Sequence, residues 1–282
     1  MRSVLRLVVQ LVAVSAVALA GSLSVGAVQW NVPLTLILGV GTAVLTLLTY
    51  AWVVRWTERR TPAEVARTGA AGALGRGTLV GLAMFAAVIA NITLLGGYRV
   101  LGWGSVGGAV ALFGFMAAAA VTEEVLFRGI LFRVLEGWIG TLAALTATGL
   151  LFGLSHLLNP NATLWSAIAI AVEAGGMLAA AYAATRTLWL PIGLHFGWNF
   201  AEGAIFGTDV SGRTGPDGLL RSVMSGPTAL TGGEFGPEAS LYTLVAGGLV
   251  TIAFLWLASR RGRLVPLRRG ASGADTAATL AR

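Results

Sequence analysis

Residues 117–132 read AAAAVTEEVLFRGILF, two adjacent glutamates and an arginine inside an otherwise apolar run. Ionisable groups in such runs are costly, and they face a bundle interior or a wet cavity. Eight polar residues remain in apolar surroundings along the chain: Glu123, Glu124, Arg128, His156, Glu173, His195, Asn199 and Glu202. Glu124 and Arg128 are four apart, the spacing at which side chains meet on a helix, so they read as a structural ion pair. Glu123 projects about 100° away from Glu124, where the same arginine is poorly placed to serve it. A carboxylate without its own cation in apolar surroundings suits a general base.

The chain has two histidines, His156 in LFGLSHLLNPN and His195 in WLPIGLHFGWNF. His195 and Asn199 share one helix face. A turn near GWIG, 137–140, makes a helical hairpin whose arms carry Glu123 and Glu124 on one side and His156 on the other. At 1.5 Å per residue both sites lie ~21–24 Å from that turn, which brings them to one depth. A carboxylate beside a neutral imidazole can hold and deprotonate a water. A second imidazole with an amide can stabilise the oxyanion formed when that water attacks a carbonyl. This is the set that peptide-bond hydrolysis inside a membrane requires.

Other chemistries fit less well. The chain contains no cysteine, which excludes thiolate nucleophiles, thiolate metal sites and disulfides. It has no His-Glu-x-x-His and no Gly-x-Ser-Gly, and its three aspartates (Asp209, Asp217, Asp275) fall outside the apolar segments. Glu173, near Gly175 and Gly176, reads as a hydrogen-bonding residue of a close helix interface. Glu202 either lines the cavity or approaches an outer loop, and Trp198 reads as packing.

Of the 282 residues, 56% are apolar and 11% charged, against roughly a quarter charged in a soluble protein; mean hydropathy is +0.81. Apolar stretches long enough to cross ~30 Å of hydrocarbon recur, and the short alternating segments of a β-barrel are absent. The expected fold is all-α: a polytopic helical membrane protein of about eight transmembrane helices around a central catalytic cavity. Spans are expected at 7–28, 32–54, 77–97, 106–136, 140–158, 163–185, 188–206 and 240–258. All nineteen basic residues are arginines. With the amino terminus cytoplasmic, only Arg99, Arg213 and Arg221 fall outside, which predicts both termini in the cytoplasm.

The first span has the basic start and Ala-Leu-Ala site of a signal peptide, but its apolar run continues through LSVGAV and favours a retained anchor. The chain divides into 1–104 (amino-terminal helices and an Arg-rich loop), 105–206 (catalytic core), 207–239 (an outer Gly- and Pro-rich loop) and 240–282 (last helix and tail). The tail after Arg269 is expected to be disordered. No basic run interleaved with aromatics suggests nucleic-acid binding.

The motifs resemble those of the CPBP family of intramembrane proteases, which groups CAAX prenyl endopeptidases with bacteriocin-processing and self-immunity proteins. The family's three motifs stand here as EEVLFR (Glu123, Glu124, Arg128), FGLSH (Phe152, His156) and HFGWN (His195, Asn199), in order and at full spacing. The resemblance covers about 105–206. It implies that Glu123 and His156 activate a water, that His195 and Asn199 form the oxyanion site, and that Glu124 with Arg128 orders the helix. It also implies that Phe152 packs beside His156. A metal-free mechanism is favoured; the alternative is a zinc ion on Glu123, His156 and His195. The expected partners are a peptide or protein tail as substrate and the lipid bilayer of a bacterial-type cytoplasmic membrane, with substrate identity and oligomeric state left open. A proton-coupled transporter and a non-catalytic immunity or scaffold protein are the competing readings.

Overall fold

The computed structural model describes residues 3–267; Arg2, Arg268, Arg269, Asp275 and the expected disordered tail lie outside the described residues. Eight helical runs make up the bundle. α1 spans Ser3–Ala27 and α2 Val32–Glu58. Asn31 caps α2 by accepting from the Leu34 N–H at 3.2 Å, and Arg59 ends it in the left-handed region at φ 55°. α3 is Ala70–Leu94. α4 runs unbroken over Val106–Ile139, started by Ser105 accepting from the Gly108 N–H at 3.0 Å. One residue, Gly140 at φ 80°, turns the chain into α5, Thr141–Leu158, as the GWIG reading anticipated. α6 is Leu164–Thr185, opened by a Thr163–Ser166 capping box. α7 runs as Trp189–Asn199 and continues through Phe200–Ile205. α8 is Leu241–Arg260.

Seven of these helices are long and apolar enough to cross a membrane. The exception is α7, expected as a span over 188–206, whose 11 α-helical and 6 π-helical residues fall short of that length. It lies inside the bundle, with His195, Trp198 and Asn199 all buried. Burial ranks the others: 83% of the apolar window of α6 is enclosed by protein, against 11% for α1 and 17% for α8. α6 is therefore the central post, and α1 and α8 present leucines such as Leu19, Leu23 and Leu249 outward, as a lipid-facing surface should.

Glycines set the closest helix approach. A Cβ on Gly77 or Gly81 of α3 would strike the backbone oxygens of Leu190 and Leu194. One on Gly193 or Gly197 of α7 would strike those of Leu74 and Thr78. Two small-xxx-small faces thus interlock, and this contact holds the helix that carries His195 and Asn199.

The two ends of the bundle differ. At one end Arg133 pairs with Glu58 at 2.6 Å, Gln10 donates to Glu58 at 2.8 Å, Arg60 meets Glu64 at 2.7 Å, and Arg186 pairs with Glu136. Arg261 donates to the Ala184 carbonyl at 3.0 Å. Residues near both ends of the described chain therefore share this arginine-rich face. At the other end lies 207–239, expected as a simple outer loop. Instead it contributes a strand, β2 (Leu220–Met224), paired antiparallel with β1 (Tyr98–Trp103). It then folds onto the bundle, where Asn159 donates to the Ser211 carbonyl at 3.0 Å, and it is closed on itself by Gly212 donating to the Phe235 carbonyl at 2.7 Å.

Candidate active site

Three helices change winding beside the polar residues. π-helical turns occupy Val125–Phe132 in α4, Ala171–Gly176 in α6 and Phe200–Ile205 in α7. Such turns leave carbonyls out of the regular ladder and recur at functional sites. Here they are used: the Gly129 carbonyl accepts from the Tyr50 hydroxyl at 3.1 Å and from Arg133 Nε at 2.8 Å. The Ala174 and Gly175 carbonyls accept from Arg128 at 2.9 and 3.2 Å.

Arg128 is 1% exposed and both terminal nitrogens of its guanidinium are engaged. It donates to Glu124 Oε1 at 2.8 Å and to the two α6 carbonyls, and its carbon lies 4.6 Å from the centre of the Phe152 ring. It joins α4, α5 and α6 at one point. Phe152 also stands edge-on to Phe127 at 4.9 Å, lies 4.7 Å from the His156 ring and 6.2 Å from the His195 ring. The phenylalanine thus packs beside His156 and also forms the floor on which both imidazoles and the arginine rest.

His195 sits between the two glutamates. Its Nδ1 is 3.0 Å from Glu124 Oε1 and its Nε2 is 3.9 Å from Glu123 Oε2. Because a carboxylate accepts, Nδ1 carries a proton and Nε2 faces Glu123. Glu124 is fully buried whereas the Glu123 side chain is 32% exposed, and Glu123 Oε2 has no hydrogen-bond partner. The adjacent carboxylates are therefore in unlike settings, one locked in an ion pair and one open to a reacting group.

His156 occupies a tight final turn of α5, with Nδ1 2.8 Å from the Phe152 carbonyl. A carbonyl can only accept, so the neutral ring leaves Nε2 as its acceptor. No hydrogen bond or ion pair joins His156 to Glu123 among the described residues; the imidazole beside the glutamates is His195. His156, His195 and Asn199 nevertheless line one small cavity together with Trp198, which has room for about a single water.

Other walls of that cavity were not all expected. Glu173 reaches it from α6, and Ser211 and Glu238 reach it from 207–239. Glu173 makes no hydrogen bond through either oxygen, which corrects the reading of it as a hydrogen-bonding interface residue. The interface role belongs to Gly175, whose Cβ would meet the Gly149 backbone. Glu202 is fully buried and has Gly236 of the outer segment beside its Oε1. Trp198 packs edge-on against Phe85 at 5.2 Å. Ser211 and Glu238 went unnoticed because 207–239 has no periodicity to say which side chains turn inward. The one signal is the position of Glu238 just before Ser240, the cap of α8.

Glu123, His156 and His195, the residues named for zinc, do not assemble as ligands. Among the described residues no three His, Cys, Asp or Glu side chains are grouped to hold a metal ion. No hydrogen bond or ion pair joins His156 to the Glu123–His195 pair among the described residues, while the Nδ1 contacts of His156 with the Phe152 carbonyl and of His195 with Glu124 leave each Nε2 available.

Fold and site together define a multi-pass integral membrane protein with an enclosed carboxylate–imidazole centre. Residues 105–201 match the family model described as type II CAAX prenyl endopeptidase Rce1-like, the segment whose motifs carried the resemblance. No curated protein and no solved structure matches the chain.

Proposed function

We propose that the protein is an endopeptidase that hydrolyses a peptide bond within its helical bundle, with Glu123 as the base for an attacking water. The observation that carries this reading is the 3.9 Å separation of Glu123 Oε2 from His195 Nε2. It is too long for a hydrogen bond and short enough for one water to touch both groups. Glu123 takes the proton of that water as it attacks the scissile carbonyl. His156, with Nε2 free in the neutral ring, relays the proton toward the leaving amine.

His195 and Asn199, one turn apart on α7, stabilise the oxyanion. That role needs a proton on both ring nitrogens of His195. Glu123, Glu124, Arg128 and a protonated His195 together sum to zero formal charge, so the buried centre accommodates the imidazolium without a counterion. Glu124 and Arg128 orient His195 and tie α4 to α6. No step requires a metal ion.

The substrate is a peptide or protein tail entering from the bilayer. The concentration of arginines at the end that also holds residues 3–10 and 261–267 supports a cytoplasmic location for both termini, in a bacterial-type cytoplasmic membrane.

The test compares wild type, Glu123→Ala and His156→Ala for cleavage of CAAX-type tail peptides in liposomes. Cleavage by wild type and its loss in both variants is expected; equal cleavage by all three would overturn the assignment.

A further inference from the structure

Behind the histidines the cavity meets a second group of acids that the proposed hydrolysis does not use. Glu173 is 1% exposed, Glu202 0% and Glu238 3%, and they lie close enough for Glu238 to act electrostatically on both of the others. Neither oxygen of Glu173 has a hydrogen-bond partner, and Glu202 and Glu238 lie within reach of each other, close enough to share a proton. Glu238 accepts from the Ser211 hydroxyl at 2.6 Å, and Glu173 and Glu238 face into the cavity. The nearest cation, Arg128, is already committed to Glu124 and to two carbonyls. A buried carboxylate without a partner is costly to keep, and here it lies close to two further buried acids.

We propose that this chamber is a specificity subsite for a primary ammonium group, the side chain of a substrate lysine flanking the scissile bond. The inference rests on the endopeptidase reading and names the substrate class it serves. The chemistry fits: an –NH3+ carries three donors to distribute among acceptors, and Glu173 and Glu238 present carboxylate oxygens to the cavity. The remaining wall, with Ile170, Ala174, Met177 and Leu178, is apolar and suits a lysine's four-carbon stem. The same cavity is bounded by His195 and Asn199, so a residue anchored there has its own backbone at the proposed oxyanion site. The segment 207–239 supplies Ser211 and Glu238, which gives this part of the chain a role in choosing substrate.

The experiment uses the full chain in liposomes and quenched-fluorescence peptides that are identical except for lysine, norleucine or glutamate at each position flanking the cleaved bond. Wild type is expected to prefer lysine over norleucine at one position by roughly tenfold or more in kcat/KM, the scale of hydrogen bonds to a charged group. Glutamate there should be the poorest. In Glu173→Gln and Glu238→Gln the lysine-to-norleucine ratio should fall toward one. The ratio is internal to each preparation, and the wild-type comparison stands even if a variant fails to fold.

Equal rates for lysine and norleucine in wild type would overturn the subsite while leaving the protease reading intact, the acids then sharing protons among themselves. A preference that persists in both variants would also overturn it. So would a sodium requirement without lysine preference, which would assign the chamber to an inorganic cation. Failure of wild type to cleave any peptide would remove the protease reading and the subsite together.

Discussion

His195 Nδ1 and Glu124 Oε1 meet at 3.0 Å across two helices, 71 residues apart in the chain. The same oxygen accepts from Arg128 at 2.8 Å. One fully buried carboxylate therefore orients a proposed oxyanion donor and neutralises a buried guanidinium at once, while its neighbour Glu123 is left open.

The two adjacent glutamates should separate in mutagenesis. Glu123→Gln should cut turnover by about 10²–10⁴-fold, the usual worth of a general base, with the unfolding temperature in detergent little changed. Glu124→Gln should lower stability by roughly 3–5 kcal/mol, because it leaves Arg128 buried without its counter-charge. A second change, Arg128→Met in the Glu124→Gln background, should recover part of that loss. Thermal unfolding and peptide cleavage, measured on the same preparations, check both statements; equal destabilisation by the two single variants would contradict the division of roles.

Asn199→Ala should reduce kcat by about 10²–10³-fold with a smaller change in KM, as removal of one oxyanion donor does. His195→Ala should cost more. It removes a donor and the ring that faces Glu123, and it leaves Glu124 with one partner fewer. Steady-state kinetics on one peptide tests this; a rise in KM alone on Asn199→Ala would place the amide in substrate binding instead.

Glycines on one helix should behave in opposite ways. Gly75 of α3 has open space where a Cβ would go, whereas Gly81 abuts the backbone of α7 at Leu194 and Trp198. Gly75→Ala should be neutral or gain a few tenths of a kcal/mol to about 1 kcal/mol from helix propensity. Gly81→Ala should destabilise and, by pushing α7 outward, lower activity as well. Yield of monodisperse protein and unfolding temperature distinguish the two.

Purified protein should retain full activity in a strong chelator and carry no stoichiometric metal by elemental analysis. Activity lost to chelator and restored by added Zn2+ would support the alternative zinc set Glu123, His156 and His195, with His156 able to ligate through Nε2 while Nδ1 keeps its contact with the Phe152 carbonyl.

Much of the centre could be read directly because its spacing is local. Four residues separate Glu124 from Arg128, and His195 from Asn199, and a helix turns that separation into shared faces whatever surrounds it. The turn near GWIG, 137–140, was equally legible from its glycines, and the structure places the reversal at Gly140. The partner of Glu123 was not. Depth arithmetic along the hairpin brought His156 to the level of the glutamates, but depth leaves the rotation of each helix about its axis undetermined. The π turn over Val125–Phe132 further shifts the phase after Glu124. Rotation and phase together put His195 between the carboxylates and left His156 without a hydrogen bond or ion pair to Glu123. Gln10 and Tyr50 were also passed over as ordinary in-span polars, although Tyr50 holds a carbonyl of that π turn and Gln10 joins the Arg133–Glu58 pair.

The sequence by itself determined that this is a multi-pass helical membrane protein, because hydrocarbon tolerates few charges and demands long apolar runs. It also singled out the residues that pay that solvation cost, which marks them as candidates for function. Only the tertiary structure decided which helix stands at the centre, which imidazole meets which carboxylate, and that Glu238 from an aperiodic segment closes the cavity behind them. Hydropathy cannot supply those answers: a leucine facing lipid and one facing another helix are equally apolar, and only packing distinguishes them.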